Sequence, residues 1–479
     1  MPFQFRCYLH PAKPSFRLFR RQLSSLSFPE NTNVIFLSGL LPEPNASAAG
    51  VRTKSLLKQL AQTDGVRAIH YGTGSKPKQE SASQTTQREI EKTMGVQFHH
   101  VLPNNSEAMK AFLQQATTTS PNNNNIESVL VILDRFYAEE AYSFHIHQQL
   151  PNAAIVLDMQ DMHSLRRHRQ SMIQSIPEKE EADPLSDLPI SKFPAANDSN
   201  LQRELASIYR SDLTLVCSPA ERKILTNIYH VPQEKLCLAS FFVDTVDSQP
   251  PLKPSFQGRK DFVFIGGFRH EPNIDAVRQM KRLWPHIRDG IQQKTADKPK
   301  FHVYGPFCPR SLRIECHDPE AGFLVRGFAN EPVDQILSQH RALLAPLRFG
   351  AGIKGKIVDA WNAGTPVITT SIGSEGMDDE GLDFGGVIAE SAEEFIHASI
   401  NLYIDEKSWS QKQEMGRGLV ANLYGIQNWT HVGSSLISTL CNVEQRRQSD
   451  FLRGVLWHQS LRSTEYFSRW IEHKERKDD

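Results

Sequence analysis

The sequence predicts an α/β fold made of two parallel-sheet units in tandem. Three observations lead there. From Asn33 onward, short apolar runs alternate with segments of helical period. The alternation stops at a proline-rich stretch, Ser248 to Lys260, and restarts at Phe262. The chain has 479 residues, room for two or three domains at roughly 100–200 residues each. Strand–helix alternation of this kind buries a parallel sheet between helical layers.

The elements follow in order. Asn33–Ser38 (NVIFLS) reads as a buried strand, followed by a loop with Pro42 and Pro44. A helix from about Ala49 carries Val51, Leu56, Leu57 and Leu60 along one side. Val66–Tyr71, Ser128–Leu133, Ala154–Leu157 and Leu213–Val216 read as further strands. Pro121–Asn125 (PNNNN) is a polar loop, and the acidic, proline-rich Pro177–Asn200 is expected to be a mobile excursion. In the second unit, Phe262–Ile265, Phe301–Tyr304, Phe323–Arg326, Leu343–Leu347 and Pro366–Thr370 read as strands. A helix capped by Asn273 places Ile274, Val277, Leu283 and Trp284 at helical spacing. The implied division is a basic segment over 1–30, a first domain over 31–250 and a linker over 251–260. A second domain over 261–427 and C-terminal helices over 428–479 complete it.

Composition narrows the function classes. Lys plus Arg and Asp plus Glu both number 54, so the net charge is zero. Such a chain has no general attraction for nucleic acid or anionic membrane, and any anion must be held by a local site. No apolar run approaches the roughly 18–20 residues of a membrane-spanning helix. The six cysteines form no CxxC pair, which indicates neither a zinc site nor a disulfide framework and suits an intracellular compartment. The first 29 residues are rich in Arg and Ser, and the first acidic residue is Glu30. That composition fits either a transit peptide for a mitochondrion or plastid or a basic tail on a cytoplasmic protein.

The segment richest in chemistry is Leu343–Met377. A strand runs into a turn with Gly350, Gly352 and Gly355, then a helix over Lys356–Ala363 closed by Gly364. Glycines at a strand-to-helix turn let backbone amides approach an anion, and the helix start adds roughly half a positive charge. Lys354 and Lys356 bring full charges to the same place, which suits a diphosphate. Asp359, one turn into the helix, is placed to accept hydrogen bonds from a ribose diol. In Phe262–Val277 a strand ends at Gly266 and Gly267, with Arg269 and His270 in the following loop. In the first unit, Gly50 and Arg52 follow the first strand, and Asp134 with Arg135 ends another. Asp158, Asp161 and His163 follow the strand Ala154–Leu157. Polar residues at the carboxyl ends of parallel strands face the ligand crevice.

PLRFGAGIKGKIVDAWNAGTPVITTSIGSEGM resembles the donor-site segment of the retaining, group 1 glycosyltransferases of GT-B fold. The likeness is strong over Phe262–Met377 and looser before Arg203. It implies two Rossmann-like domains facing across a cleft, with C-terminal helices crossing back onto the first. It also implies sugar transfer from a nucleotide-sugar donor to an acceptor hydroxyl, with retention and with neither metal nor further cofactor. The family pattern has two glutamates separated by seven residues. Here those positions hold Ala351 and Asp359, and Glu375 is the candidate for the lost carboxylate. The family's loop Arg and Lys fall on Gly267 and Pro272, which leaves Arg269 and His270 as substitutes. The resemblance thus makes Lys354, Arg269 and His163 the candidate catalytic residues. Gly266, Gly267, Gly352, Lys356, Asp359 and Glu375 fall on the donor side, and Gly50, Arg52, Asp158 and Asp161 on the acceptor side. A sugar-nucleotide epimerase and a non-catalytic nucleotide-sugar-binding protein are the rival functions.

Overall fold

The computed structural model describes residues 26–75, 82–117, 128–175, 183–244, 255–329, 331–378 and 382–476. Residues 1–25, the PNNNN stretch, the start of the acidic excursion and linker residues 251–254 lie outside the described residues.

Two sheets form, and every pairing in both is parallel. The first contains β1 (Ser27–Ser38), β2 (Asp64–Thr73), β3 (Gln97–His100), β4 (Val129–Asp134), β5 (Ala154–Asp158), β6 (Leu213–Val216) and β7 (Leu236–Leu238), in the order β3-β2-β1-β4-β5-β6-β7. The second contains β8 (Lys260–Ile265), β9 (Phe301–Tyr304), β10 (Phe323–Gly327), β11 (His340–Ala345), β12 (Val367–Thr369) and β13 (Gly386–Ile388), in the order β10-β9-β8-β11-β12-β13. Each order reverses once, between β1 and β4 and between β8 and β11. A doubly wound sheet opens its ligand crevice at such a reversal, beyond the carboxyl ends of the strands. The loops after β8 and β11 are the two glycine-bearing segments of the second unit, so both meet at its crevice.

The central strands are buried on both faces, as β4 (VLVILD) and β11 (HRALLA) show, because helices cover each side. β1 starts before the expected Asn33. Its register shifts between Ser27 and Asn33, and the added segment buries Phe28 against the core that contains Trp429. The edge strand β3, QFHH, lacks the apolar run that marks the others.

Two expectations are corrected. Asn273 does not cap its helix. The helix Glu271–Lys294 begins two residues earlier, because Pro272 in its first turn has the backbone angle and missing N–H that a helix start requires. The excursion is not free over Asp183–Asn200. The Asp183 carboxylate accepts from the Ala392 amide of the second unit at 2.9 and 3.0 Å, and Leu185 is buried in that unit's core. An acidic side chain on a helix start and one buried leucine outweigh the polar composition.

The C-terminal helices return to the first unit. Trp429, Val432, Leu436 and Leu440 of the helix Trp429–Cys441 join the core beneath β1 and β2. The Trp429 indole donates to Thr63 Oγ1 at 2.9 Å. Arg447 forks onto Asp212, and the Trp457 indole donates to the Arg210 carbonyl at 2.9 Å. Among the described residues no helix is long and apolar enough to cross a membrane. The described cysteines, from Cys217 to Cys441, are free thiols.

Candidate active site between the two sheets

The turn after β11 is built for close approach. Gly352 has φ +66°, and a Cβ there would stand 2.9 Å from the Asp161 Cβ of the first unit. A Cβ on Gly355, the first residue of the helix Gly355–Asn362, would stand 2.6 Å from the Ala48 Cβ. These glycines are therefore required by contact between the two units as well as by any ligand. Gly267 has the same duty in the loop after β8, where a Cβ would meet the Ala46 carbonyl oxygen at 2.6 Å. Gly266 is closed in by the Asn273 side chain, and Gly50 by the backbone of Glu43.

Lys354 and Lys356 converge on this turn. The Lys354 ammonium is buried and donates to the Gly352 carbonyl at 2.8 Å. Burial pushes it down, and Glu375 opposes that. Lys356 donates to Asn273 Oδ1, and its Nζ lies 4.4 Å from the Phe264 ring centre. Burial, with Lys354 beside it, pushes Lys356 down to about 7. Burial thus lowers the proton affinity of both ammonium groups. Asp359 lies deeper along the same helix and is pushed up to about 7 by burial and by Asp334.

The facing wall is the loop after β5. Asp161 accepts from His163 Nε2 at 3.1 Å and from Arg166 at 3.0 Å. Burial opposes its ionisation, yet Arg166 and His163 hold its carboxyl well below the usual range. His270 enters the same cluster from the second unit. The residue is exposed to solvent overall, yet desolvation of its ring and then Arg166 push it down, with Asp161 opposing. Arg269 points elsewhere. Its guanidinium sits over the Phe307 ring and 3.6 Å from Glu43, with 68% of the side chain exposed.

Arg52 and Asp158 lie under this loop and not on its surface. The two pair at 2.6 Å with exposures of 1% and 0%, and Arg52 also donates to the Ala239 carbonyl. Gln160, at φ +61°, donates to Asp158 and to Asp134. Buried and bonded to each other and to Ala239 and Gln160, this pair supports the loop from beneath and does not line its surface. Glu375 is likewise engaged: Arg169 forks onto it across the cleft at 2.7 and 2.8 Å. The sequence reading left Arg169 without a role. It is fully buried, and it also donates to the carbonyls of Gly350 and Ile190. Glu221 was missed as well. One of its oxygens accepts from the Met162 amide at 2.9 Å and from the Gly352 amide at 2.8 Å. An acid in a charged helix start reads from sequence as a solvated cap, and no local pattern gave a contrary signal. Among the described residues no group of three or more His, Cys, Asp or Glu is placed to hold a metal ion.

Residues 259–405 match the family model described as "Glycosyl transferases group 1". No curated protein matches the chain in sequence. Among solved structures, the chain is similar to HepE of Anabaena, solved with UDP and glucose, at 11% identity and TM-score 0.55, over 86% of this chain and 99% of that one. It is similar to sucrose-phosphate synthase of Thermosynechococcus elongatus at 15% identity and TM-score 0.54, over 87% of this chain and all of that one. It spans 59% of the length of a TarM variant of S. aureus, at 13% identity and TM-score 0.46 over 70% of this chain. At these identities HepE and the synthase establish the fold. The chain has the GT-B fold, and within it residues 259–405 match the group 1 glycosyltransferase model.

Proposed function

We propose that this protein transfers a sugar from a nucleotide-sugar donor to an acceptor hydroxyl, with retention at the anomeric carbon. One observation carries the reading: Lys354 donates to the Gly352 carbonyl of the donor turn, and burial, with Lys354 second, pushes Lys356 of the same turn down to about 7. A diphosphate bound there favours the charged form of both lysines. As the glycosidic C–O bond breaks, negative charge grows on the leaving diphosphate, and fixed cations stabilise the transition state more than the ground state. Asp359, one turn into the helix that follows, holds the ribose. The loop Asp161–His163 receives the acceptor. His270 replaces Arg269 as the loop residue next to the reacting groups, since Arg269 is turned toward Glu43.

HepE was solved with UDP and glucose, which favours a UDP-sugar as the first donor to try. A thermal-shift series with UDP-, GDP-, ADP- and dTDP-sugars tests the donor. A true donor at 100 times its dissociation constant stabilises the fold by about 2.7 kcal/mol. NMR of the sugar product then reads the anomeric configuration. Conversion of the donor alone to an epimer, or binding without transfer to any acceptor, would overturn the proposal.

A further inference from the structure

The helix Pro219–Asn227 opens with Ser218-Pro219-Ala220-Glu221, the pattern of a reciprocal helix cap. In such a cap the acid at the third helical position turns back to the amide of the capping residue. Ser218 does its part, and its hydroxyl accepts from the Glu221 amide at 3.5 Å. Glu221 does not reciprocate. Its side chain runs forward into the seam between the two units, where it is wholly buried. There a single atom, Oε1, accepts from Met162 N at 2.9 Å and from Gly352 N at 2.8 Å. Met162 lies between Asp161 and His163 in the acceptor-facing loop. Gly352 lies two residues before Lys354 in the donor turn. The other oxygen, Oε2, is buried and has no hydrogen-bond partner among the described residues.

We infer that Glu221 is a positioning residue that fixes the donor turn and the acceptor loop to each other through one shared oxygen atom. This rests on the transferase reading of the same site and goes beyond it. The turn is short of one carboxylate at Ala351, and Glu221 brings a carboxylate to the adjacent amide from the opposite unit. Both bonds go to backbone amides, so no side-chain change elsewhere replaces them. Leaving both donors buried without an acceptor is costly, which ties the two loops into one unit. Arg169, bound to Glu375 and to the Gly350 carbonyl, holds the units together independently. Loss of Glu221 therefore loosens alignment and leaves association intact. The proposed ribose and diphosphate contacts come from the second unit, so donor affinity depends on Glu221 much less than alignment does.

Hydrogen exchange on the full chain tests this without an acceptor. In Glu221→Ala, the peptides containing Met162 and Gly352 lose protection together, by about tenfold or more, while protection elsewhere stays as in the parent. With UDP-glucose and a productive acceptor, kcat falls about 100-fold, the cost of a small misplacement of reacting groups, and donor KM stays within about threefold. Glu221→Gln keeps an oxygen acceptor and retains both the protection and most of the turnover. If the alanine variant melts globally, Glu221→Asp, one methylene short, carries the same comparison. The inference is overturned if either peptide keeps its protection alone, if Glu221→Ala transfers at the parent rate, or if Glu221→Gln fails as the alanine does. Should no nucleotide-sugar be turned over, the transferase reading fails, and the exchange result still decides the coupling.

Discussion

Arg135 sits at φ 71° and ψ 164°, a region that side-chain-bearing residues rarely enter. Its amide donates to the Asp158 carbonyl at 2.8 Å, and its own carbonyl accepts from Ala138 and Glu139, so both ends of the strained unit are pinned. The guanidinium donates to the Tyr137 hydroxyl and lies 3.4 Å from Asp134, at the carboxyl end of β4 where the first sheet reverses. Strain of about 1–3 kcal/mol at such a place is kept for what the side chain does. Arg135→Gly is expected to leave the urea midpoint at or above the parent's while kcat/KM falls at least about tenfold, since it removes strain and a cleft cation together. A second prediction concerns protons. Burial brings Lys356 down and Asp359 up to about 7. Above that pH Lys356 is mostly neutral, and a bound diphosphate draws a proton onto it. Below it Asp359 is mostly protonated, and a ribose donating to its carboxylate releases one. UDP binding should therefore take up protons on the alkaline side of about 7 and release them on the acid side, which calorimetry in buffers of different ionisation enthalpy reads directly. At this scale the lysines were legible in the sequence because their spacing from Gly350, Gly352 and Gly355 is local. Arg169 and Glu221 were not, because their partners lie 206 and 131 residues away. Arg52 and Asp158 looked like cleft residues because each follows a strand, but only the fold shows that they face each other.

Among the elements, those with continuous apolar runs were readable, because a strand buried on both faces has to be apolar throughout. NVIFLS, SVLVIL and FVFI all fall in central strands. The short outer strands β3, β7 and β13 were not readable, since three or four residues carry no period. The acidic excursion misled for a related reason: composition reports the mean, and Leu185 and Asp183 decide the docking. The closing helices were expected to cross back onto the first domain, and the helix Trp429–Cys441 lays a buried stripe on the first sheet. Trp429, 2% exposed, stands edge-on to Phe242 at 5.6 Å between ring centres. Trp429→Ala is expected to destabilise the protein by about 3–5 kcal/mol in chemical denaturation. The loss should appear first as exchange in β1 and β2, far along the chain from the substitution.

Across the whole molecule, the end of the first unit and the return of the chain toward it lie side by side. Val243 and Gly425 form a parallel bridge, in which Val243 N donates to the Tyr424 carbonyl at 2.6 Å and Ile426 N donates to the Val243 carbonyl at 3.1 Å. Arg169 and Glu221 add side-chain contacts between the two units, to Glu375 and to the Gly352 amide. The donor turn lies on that seam, so its cations meet the acceptor loop only when the units are together. That arrangement gives the lysine pair its meaning, and the most direct measurement is of the pair itself. UDP is titrated calorimetrically into the parent chain and into the Lys354→Ala/Lys356→Ala variant, with melting temperatures recorded for both. The expected result is a loss of roughly 2 kcal/mol of affinity per lysine, as for charged hydrogen bonds, with the fold intact. Unchanged UDP affinity in the folded double variant would contradict the assignment of this turn as the diphosphate site.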